Sequence, residues 1–434
     1  MKLRPFELIL VVVFGIMLIL ALVLLRTYEP APEEGQLVNV GVVNIWGTLP
    51  ADGANALLAE LAQTQDAYRN VSYRYVSPES FDDTFVNALA DGTGPDLVLI
   101  SQESLVKHRT RFEAVPYESF PVRDFRSLYV DGATIFAQSD GIYAYPVAVD
   151  PLMMYWNRDL FSFNNFVTAP VSWEEIVSDT VPALTVRDFN RTIEQSGLAM
   201  GEYTNIKNAF GILSLLTLQG GSAMVTEESG RYKIRLDEQQ DQLSGRPFTT
   251  AVTFYTNFNA VSNTLYSWNR SLPLDRDMFL SEELALYFGY GSEARELEKR
   301  NPNLSFDIAQ VPQGAEATVK RTYARFYGLA VPRTTKNKLG AYTVRQELTS
   351  QANAKKLADA YSLAPAHRSS LVAGSNDVYG RVIYEAVPIA RGWLSPSQDE
   401  VSEIFTTLLG DVSSNRSSLS GAVGDSLTRL QQAY

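Results

Sequence analysis

Residues 141–161 read GIYAYPVAVDPLMMYWNRDLF. Their reading decides the fold. An ordinary core strand is about five or six residues long and mostly aliphatic. This stretch carries Tyr143, Tyr145, Tyr155 and Trp156, and prolines at 146 and 151. Asp150 is the one charged residue between Gly141 and Trp156. Each proline removes a backbone donor and restricts the residue before it, so the segment is extended but interrupted.

Outward from it, strand patterns alternate with helix patterns. VNVGVVNIW from Val38 reads as a strand, and ADGANALLAELAQTQDAY as an amphipathic helix. VSYRYVS alternates with period two. SFDDTFVNALADG reads as a helix capped by Ser80 and stopped at Gly92. GPDLVLIS is a short, nearly continuous apolar strand of the kind buried on both faces of a parallel sheet. On the other side, SWEEIV carries a capping box, Ser172 and Glu175. NAFGILSLLTLQGG and PFTTAVTFYTNFNAV read as buried helices. ELALYFGYGSEARELEKRNP reads as a strand, a glycine turn and a helix; SFDIAQVPQ and FYGLAVPRTTKN each read as a strand ending in a turn or loop. A helix pair precedes Pro365 and two helices close the chain. The fold class expected from this alternation is α/β, with ligand sites at the carboxyl ends of strands.

Bulk chemistry narrows the function. The 434 residues suffice for two or three domains, and 45 % hydrophobic content supports a large core. A net charge of -12 argues against nucleic-acid binding, which needs a basic face. Cysteine is absent, which removes disulfides, thiolate chemistry and attachment through a lipidated cysteine. His108 and His367 are the only histidines, so a His-based triad or zinc site is disfavoured; no metal or cofactor is expected. Lys2 and Arg4 precede eighteen uncharged residues, Leu8 to Leu25. As a helix these span roughly 27 Å, near the thickness of a bilayer core. RTYEPAPEE after them offers no small-x-small cleavage site, so an uncleaved anchor with a cytoplasmic N-terminus is expected rather than a signal peptide.

No catalytic motif is present: there is no G-x-S-x-G, H-E-x-x-H, P-loop or G-x-G-x-x-G. FGYGSEA contains G-x-G before a helix but lacks the third glycine. Aromatic residues in turns after strands carry more information, since indole and phenol rings in clefts stack on sugar faces. Trp46, Tyr290, Trp268 and Trp393 are in such places. Each is also an ordinary core or rim position.

These residues carry a family resemblance. YAYPVAVDPLMMYWNRDLF followed by SWEEIV resembles the crossing segment of the extracellular solute-binding proteins of ATP-binding cassette transporters, in the maltose-binding-protein family. GPDLVLIS, ALYFGYGSEARELEKRNPNLSFDIAQVPQ and YGLAVPRTTKN…QELTSQANAKKLADAYSLAPAHRSSL resemble further segments of that family, in the same order. The match runs from about residue 38 to 434. It implies a two-lobe periplasmic-binding-protein-like fold (type II), each lobe a sheet flanked by helices, with a hinge between them. The expected division is 1–27 cytoplasmic tip and anchor, 28–37 linker, 38–148 and 310–374 the first lobe, 149–309 and 375–434 the second. Tyr143, Tyr145 and Pro146 then end the first lobe, Val147 to Pro151 form the hinge, and Met153 to Trp156 open the second.

The implied function is capture of a small solute, with a carbohydrate favoured, and delivery to transporter permease subunits without covalent chemistry. A degenerate cleft serving a sensor or scaffold is the alternative, and a glycan hydrolase the third. Residue by residue, the resemblance places Asp150 as an acidic hinge residue accepting sugar hydroxyls. Trp46 follows the first strand, and Ser101 and Gln102 end the G-P-D strand. Asn208 and Phe210 match an acidic-x-aromatic pair, Tyr290 and Ser292 the glycine turn, and Trp393 a late stacking aromatic. Two positions depart from the pattern. Ser292 stands where a stacking tryptophan is usual, and Asn208 stands where a carboxylate is usual. Both departures weigh against a long malto-oligosaccharide.

Overall fold

A computed structural model describes residues 40–228, 230–238 and 245–434. The expected anchor, Leu8 to Leu25, lies outside the described residues. Among those described, no helix is long and apolar enough to cross a membrane.

The decisive stretch forms one continuous strand. In chain order the strands are β1 (Val43–Gly47), β2 (Val71–Tyr75), β3 (Leu97–Ser101), β4 (Ala137–Gln138), β5 (Gly141–Ile142), β6 (Tyr145–Asn157), β7 (Val186–Arg187), β8 (Ile193–Leu198), β9 (Val225–Glu228), β10 (Arg231–Ile234), β11 (Leu284–Tyr290), β12 (Phe306–Gln310), β13 (Thr322–Ala330), β14 (Ala364–Pro365) and β15 (Ala390–Arg391). The main sheet runs β2-β1-β3-β13-β6-β11-β8-β7, with β12 and β14 on β6 and β15 on β13. β1 pairs in parallel with β2 and β3, as expected for the α/β pattern. β6 belongs to both halves of the sheet. Its first part pairs with β13, from Tyr145↔Leu329 to Pro151↔Ala324, and its second part with β11, from Leu152↔Tyr290 to Trp156↔Leu286.

The two prolines fit this changeover. A proline in a central strand removes a ladder donor and is tolerated at bulges or where pairing ends. Pro146 lies at the register shift between Tyr327 and Gly328 of β13. Pro151 lies where the second neighbour changes from β14, paired at Val149, to β11, paired at Leu152. Its carbonyl still accepts from the Gly291 N–H at 2.9 Å.

β13 likewise pairs differently along its length, with β3 over Tyr327–Ala330 and with β15 at Thr322 and Tyr323. The expected boundary at 310 is the end of β12, which pairs along β6 from Met153 to Asn157. One apolar cluster fills the space between the β1–β3 sheet and the helices Ala51–Thr64, Lys338–Leu348 and Gln351–Ala360, with Leu57, Leu58, Val344 and Leu357 at its centre. A larger cluster runs through the rest of the fold.

Helix ends follow local chemistry. The helix expected to start at Ser80 begins earlier, over Pro78–Ala90, because Pro78 takes the first helical position, where its missing N–H costs nothing. At the Ser172 capping box the Glu175 N–H donates to Ser172 Oγ at 3.2 Å. The Glu175 carboxylate accepts from the Val171 N–H at 2.8 Å, one residue earlier than in the standard reciprocal bond.

Candidate functional site

Along β13, side chains alternate between its faces. Arg325 and Tyr327 point into a cavity of about 290 Å³. Phe326 points the other way, toward Gly132 and Gly392. The cavity is lined on one side by Thr48, Glu79, Asp82, Ser101, Glu103 and Lys107, and by Ser397, Gln398 and Asp399 near the start of the helix Gln398–Ser413.

Arg325 is its floor. The guanidinium lies 4.1 Å from the Tyr290 ring centroid, and its Nε donates to Glu103 Oε2 at 3.1 Å. Glu103 also accepts from the Tyr323 hydroxyl at 2.7 Å. Burial works against the charge on Arg325, but the Glu103 carboxylate beside it holds the guanidinium firmly protonated. On the wall, Asp82 accepts from Lys107 Nζ at 2.6 Å and pairs with His108 Nε2 at 2.7 Å. Burial raises the Asp82 carboxyl, but the His108 and Lys107 contacts outweigh it and keep it below the ordinary range. Glu79 and Asp399 lie in the first turns of their helices, Pro78–Ala90 and Gln398–Ser413. Neither Ser77 nor Ser397 caps its helix with a side-chain hydrogen bond. The cavity thus offers carboxylate acceptors together with hydroxyl, ammonium, guanidinium and helix-end donors, the mixture a polyhydroxylated solute needs. Among the described residues no group of His, Cys, Asp and Glu could hold a metal ion.

Of the expected site residues, Ser101 lines this cavity. The others have partners within the chain. Asp150 is buried and accepts from the Ser292 N–H at 3.0 Å and the Ser292 hydroxyl at 2.6 Å. Those two are therefore brought together, as a tie between β6 and the glycine turn after β11. Gln102 is fully buried: Nε2 donates to the Ala324 carbonyl at 3.2 Å, and the Phe326 N–H donates to Oε1 at 2.6 Å. It fastens the end of β3 to β13. Asn208 Nδ2 donates to Glu293 Oε1 at 2.9 Å and to the Phe288 carbonyl at 3.1 Å. Phe210 and Trp393 stack on each other, centroids 5.4 Å apart and planes at 16°. The Trp393 indole N–H donates to the Tyr434 hydroxyl at 2.8 Å. Tyr290 is buried under Arg325, and Trp46 is buried with Arg74 over its ring at 4.6 Å.

The sequence reading missed Glu103, Arg325, Asp82, Lys107, Tyr327 and Asp399. Two signals point to some of them. Glu103 is a lone acid directly after the apolar strand, and Arg325 is a lone base in the apolar run TYARFYGLA. A charged side chain in an otherwise buried strand requires a partner or a cavity.

The profile of the bacterial extracellular solute-binding proteins matches residues 56–376. The chain belongs to this family. The family is one of extracellular binding proteins. Solved structures of similar fold include a cyclo/maltodextrin-binding protein complexed with maltotetraose. It is 14 % identical, with TM-score 0.70 over 90 % of this chain and 96 % of that one. A maltose-maltodextrin binding protein of Alicyclobacillus acidocaldarius is 16 % identical, with TM-score 0.68 over 90 % and 100 %. A Thermotoga lettingae transporter solute-binding protein bound to tagatose is 18 % identical, with TM-score 0.64 over 90 % and 99 %. These likenesses show the two-lobe α/β fold. A curated relative from Brucella abortus, named only as a binding protein, is 20 % identical over 263 residues, 59 % of this chain. The chain spans 58 % of the length of that relative.

Proposed function

We propose that this solute-binding protein captures a small carbohydrate in the cavity at Arg325 and delivers it to the permease of an ATP-binding cassette importer. One observation carries the reading: the cavity sits on the strand shared by both lobes and draws its acceptors and donors from each. A solute bound there contacts both lobes and favours their closure, which is what a transporter can read.

Size and lining narrow the solute. A volume of about 290 Å³ suits one or two sugar rings better than a long chain. The aromatics expected as stacking platforms, Trp46, Phe210, Tyr290 and Trp393, are all buried against protein. Ser101, Glu103, Lys107, Arg325 and Asp399 become the proposed ligand contacts, and Asp150 the residue that fixes the hinge geometry. The apolar run Leu8 to Leu25 is the proposed tether, keeping the receptor near its permease at high effective concentration.

The test is binding without turnover. Purified protein is titrated with tagatose, mannobiose and maltotetraose while intrinsic fluorescence is followed, and co-purifying small molecules are identified by mass spectrometry. Saturable binding of a mono- or disaccharide, lost in Arg325→Met, supports the proposal. No response to any of the three sugars and no co-purified solute would overturn it. That outcome would favour a sensor with a degenerate cleft, a reading to which the burial of all four aromatics already lends weight.

A further inference from the structure

The end of β6 and the segment after it, WNRDLFSFNNFV at 156–167, carry Trp156, Phe161, Phe163 and Phe166. The short helix within it, Arg158–Phe163, is fixed at both ends. At its start, Asn157 Oδ1 accepts from the Asp159 and Leu160 N–H groups at 3.0 and 3.1 Å. At its end, Asn165 takes the left-handed conformation, φ 66°, which asparagine tolerates. The Asn165 N–H then donates to the Ser162 carbonyl at 3.1 Å, and the Phe166 N–H to the Phe161 carbonyl at 2.9 Å. These two bonds are the Schellman helix stop, and its hydrophobic contact is Phe166 on Phe161, centroids 5.7 Å apart. Trp156 packs on the same buried Phe161 from β6, centroids 5.2 Å apart.

Trp156 and Phe166, both half-buried, line a groove of about 490 Å³. Along β6, Trp156 lies about 20 Å from Asp150, the residue that pairs with Arg325, so the groove is separate from the Arg325 cavity. The other four tryptophans are buried. Trp173, Trp268 and Trp393 also spend their indole N–H groups within the chain, on Gln219 at 2.7 Å, Asn205 at 3.1 Å and Tyr434 at 2.8 Å. The Trp156 N–H has no hydrogen-bond partner among the described residues. The polar side chains around the groove, Arg158, Asp159, Ser162, Asn165 and Ser305, likewise make no hydrogen bond or ion pair among the described residues. In the Arg325 cavity, by contrast, Glu103 is tied to Arg325 and Asp82 to Lys107. The neighbouring charges of Arg158 and Asp159 cancel, so the groove carries no net charge.

We propose that this groove is a second carbohydrate site, outside the Arg325 cavity, that takes a neutral glycan chain. An aromatic face beside free donors and acceptors is the arrangement that holds a sugar: the ring stacks on its apolar face and the polar groups bond its hydroxyls. Trp156 and Phe166 flank one buried ring, so they offer two platforms, which suits consecutive units of a chain better than a single solute molecule. The rim is open, with Ser162 and Val167 exposed, so a chain can run across it. The absence of net charge directs the groove to neutral glycans rather than acidic ones. A site of this kind holds the protein on a polymer and raises the effective concentration of the small sugars released from it. The proposal stands whether or not the Arg325 cavity takes a sugar.

The test is co-sedimentation. The full-length protein in detergent is mixed with insoluble amylose, mannan and cellulose, and the bound fraction is measured over a range of polysaccharide concentrations. The parent should bind at least one of the three. Trp156→Leu keeps an apolar side chain over Phe161 but loses the platform, and should weaken that binding roughly tenfold, while Trp156→Phe should retain most of it. Arg158→Ala/Asp159→Ala, at exposed positions without partners among the described residues, should weaken binding and leave thermal unfolding unchanged. Arg325→Met should leave sedimentation as in the parent. If the parent sediments with none of the three glycans, the proposal is overturned and the groove is left to a protein partner. Parental binding in a folded Trp156→Leu protein would overturn it as well. So would loss of binding in a folded Arg325→Met protein, which would place the glycan in the cavity instead.

Discussion

The guanidinium carbon of Arg325 lies 4.1 Å from the centroid of the Tyr290 ring, while its Nε bonds Glu103 at 3.1 Å. Arg325 is therefore held in place by residues from both sides of the hinge: Glu103 follows the end of β3, and Tyr290 ends β11. Arg325 also lines the cavity.

Removing that guanidinium leaves the buried Glu103 side chain short of a partner. Arg325→Met should lower unfolding free energy at pH 7 by about 2–4 kcal/mol, the usual cost of breaking a buried pair from one side. Replacing both partners, Arg325→Met with Glu103→Gln, should cost clearly less than the sum of the single changes. Urea denaturation of the three variants checks this, and additive losses would show that the pair is not coupled.

Trp393 is expected from the family resemblance to stack on a sugar, but here its ring faces Phe210 and its N–H faces Tyr434. Trp393→Ala should therefore act on stability first, by about 3–5 kcal/mol as for other large core truncations. Tyr434→Phe, which removes the acceptor of that N–H and the donor to the Leu394 carbonyl, should cost about 1 kcal/mol. Thermal unfolding reads both. A Trp393→Ala protein with parental stability and lost sugar binding would return this residue to the ligand.

The fold was legible because its signals are local and repeated. Pro146, Asp150 and Pro151 interrupt a long apolar run, and only a strand serving two lobes accommodates all three. The site was less legible, because whether an aromatic after a strand faces a cleft depends on what packs over it. Nothing near Tyr290 in sequence announces Arg325, thirty-five positions later. Asp150 was singled out as the one charge in its strand, and the structure gives it a partner, Ser292, from the very turn expected to hold a ligand. Asn208, where the resemblance expects an acid, also has its partner far away in sequence: its amide donates to the Glu293 carboxylate at 2.9 Å.

That last relationship can be tested directly. Glu293 is buried, and burial alone would raise its carboxyl. Lys207 at 2.8 Å, the Tyr287 hydroxyl at 2.7 Å and the Tyr290 N–H at 3.0 Å together hold it below the ordinary range. Asn208→Asp would set a second carboxylate within hydrogen-bond distance of the first. At pH 7 it should destabilise the protein by about 2 kcal/mol or more, since two buried like charges cannot both ionise freely. Adding Glu293→Gln, which restores a donor–acceptor match, should recover much of the loss. No recovery in a urea titration would mean that the two side chains do not read each other's charge.

Asp150 makes a pH prediction with a definite sign. Burial raises its carboxyl from 3.8 to about 6, against the opposing pull of the two Ser292 bonds and Arg325. A folded-state value above the unfolded one means that the folded protein binds the proton more tightly. The stabilisation is complete below about pH 4 and is lost as pH rises through 6. Asp275, raised by burial to about 7, adds a contribution of the same sign that extends to slightly higher pH. Asp82 and Glu293, both lowered, act oppositely, so the stability of the parent protein alone would mix these effects. Asp150→Asn separates them. The amide keeps an acceptor for the Ser292 N–H and can donate to its hydroxyl, mimicking the protonated acid at every pH. The difference in unfolding free energy between variant and parent should therefore shift in favour of the variant between pH 4 and pH 7. At about 1.4 kcal/mol per pKa unit the shift is on the order of 3 kcal/mol. Chemical denaturation at half-unit pH steps reads the curve, and a difference that stays flat across this window would show that Asp150 remains ionised in the fold at acid pH.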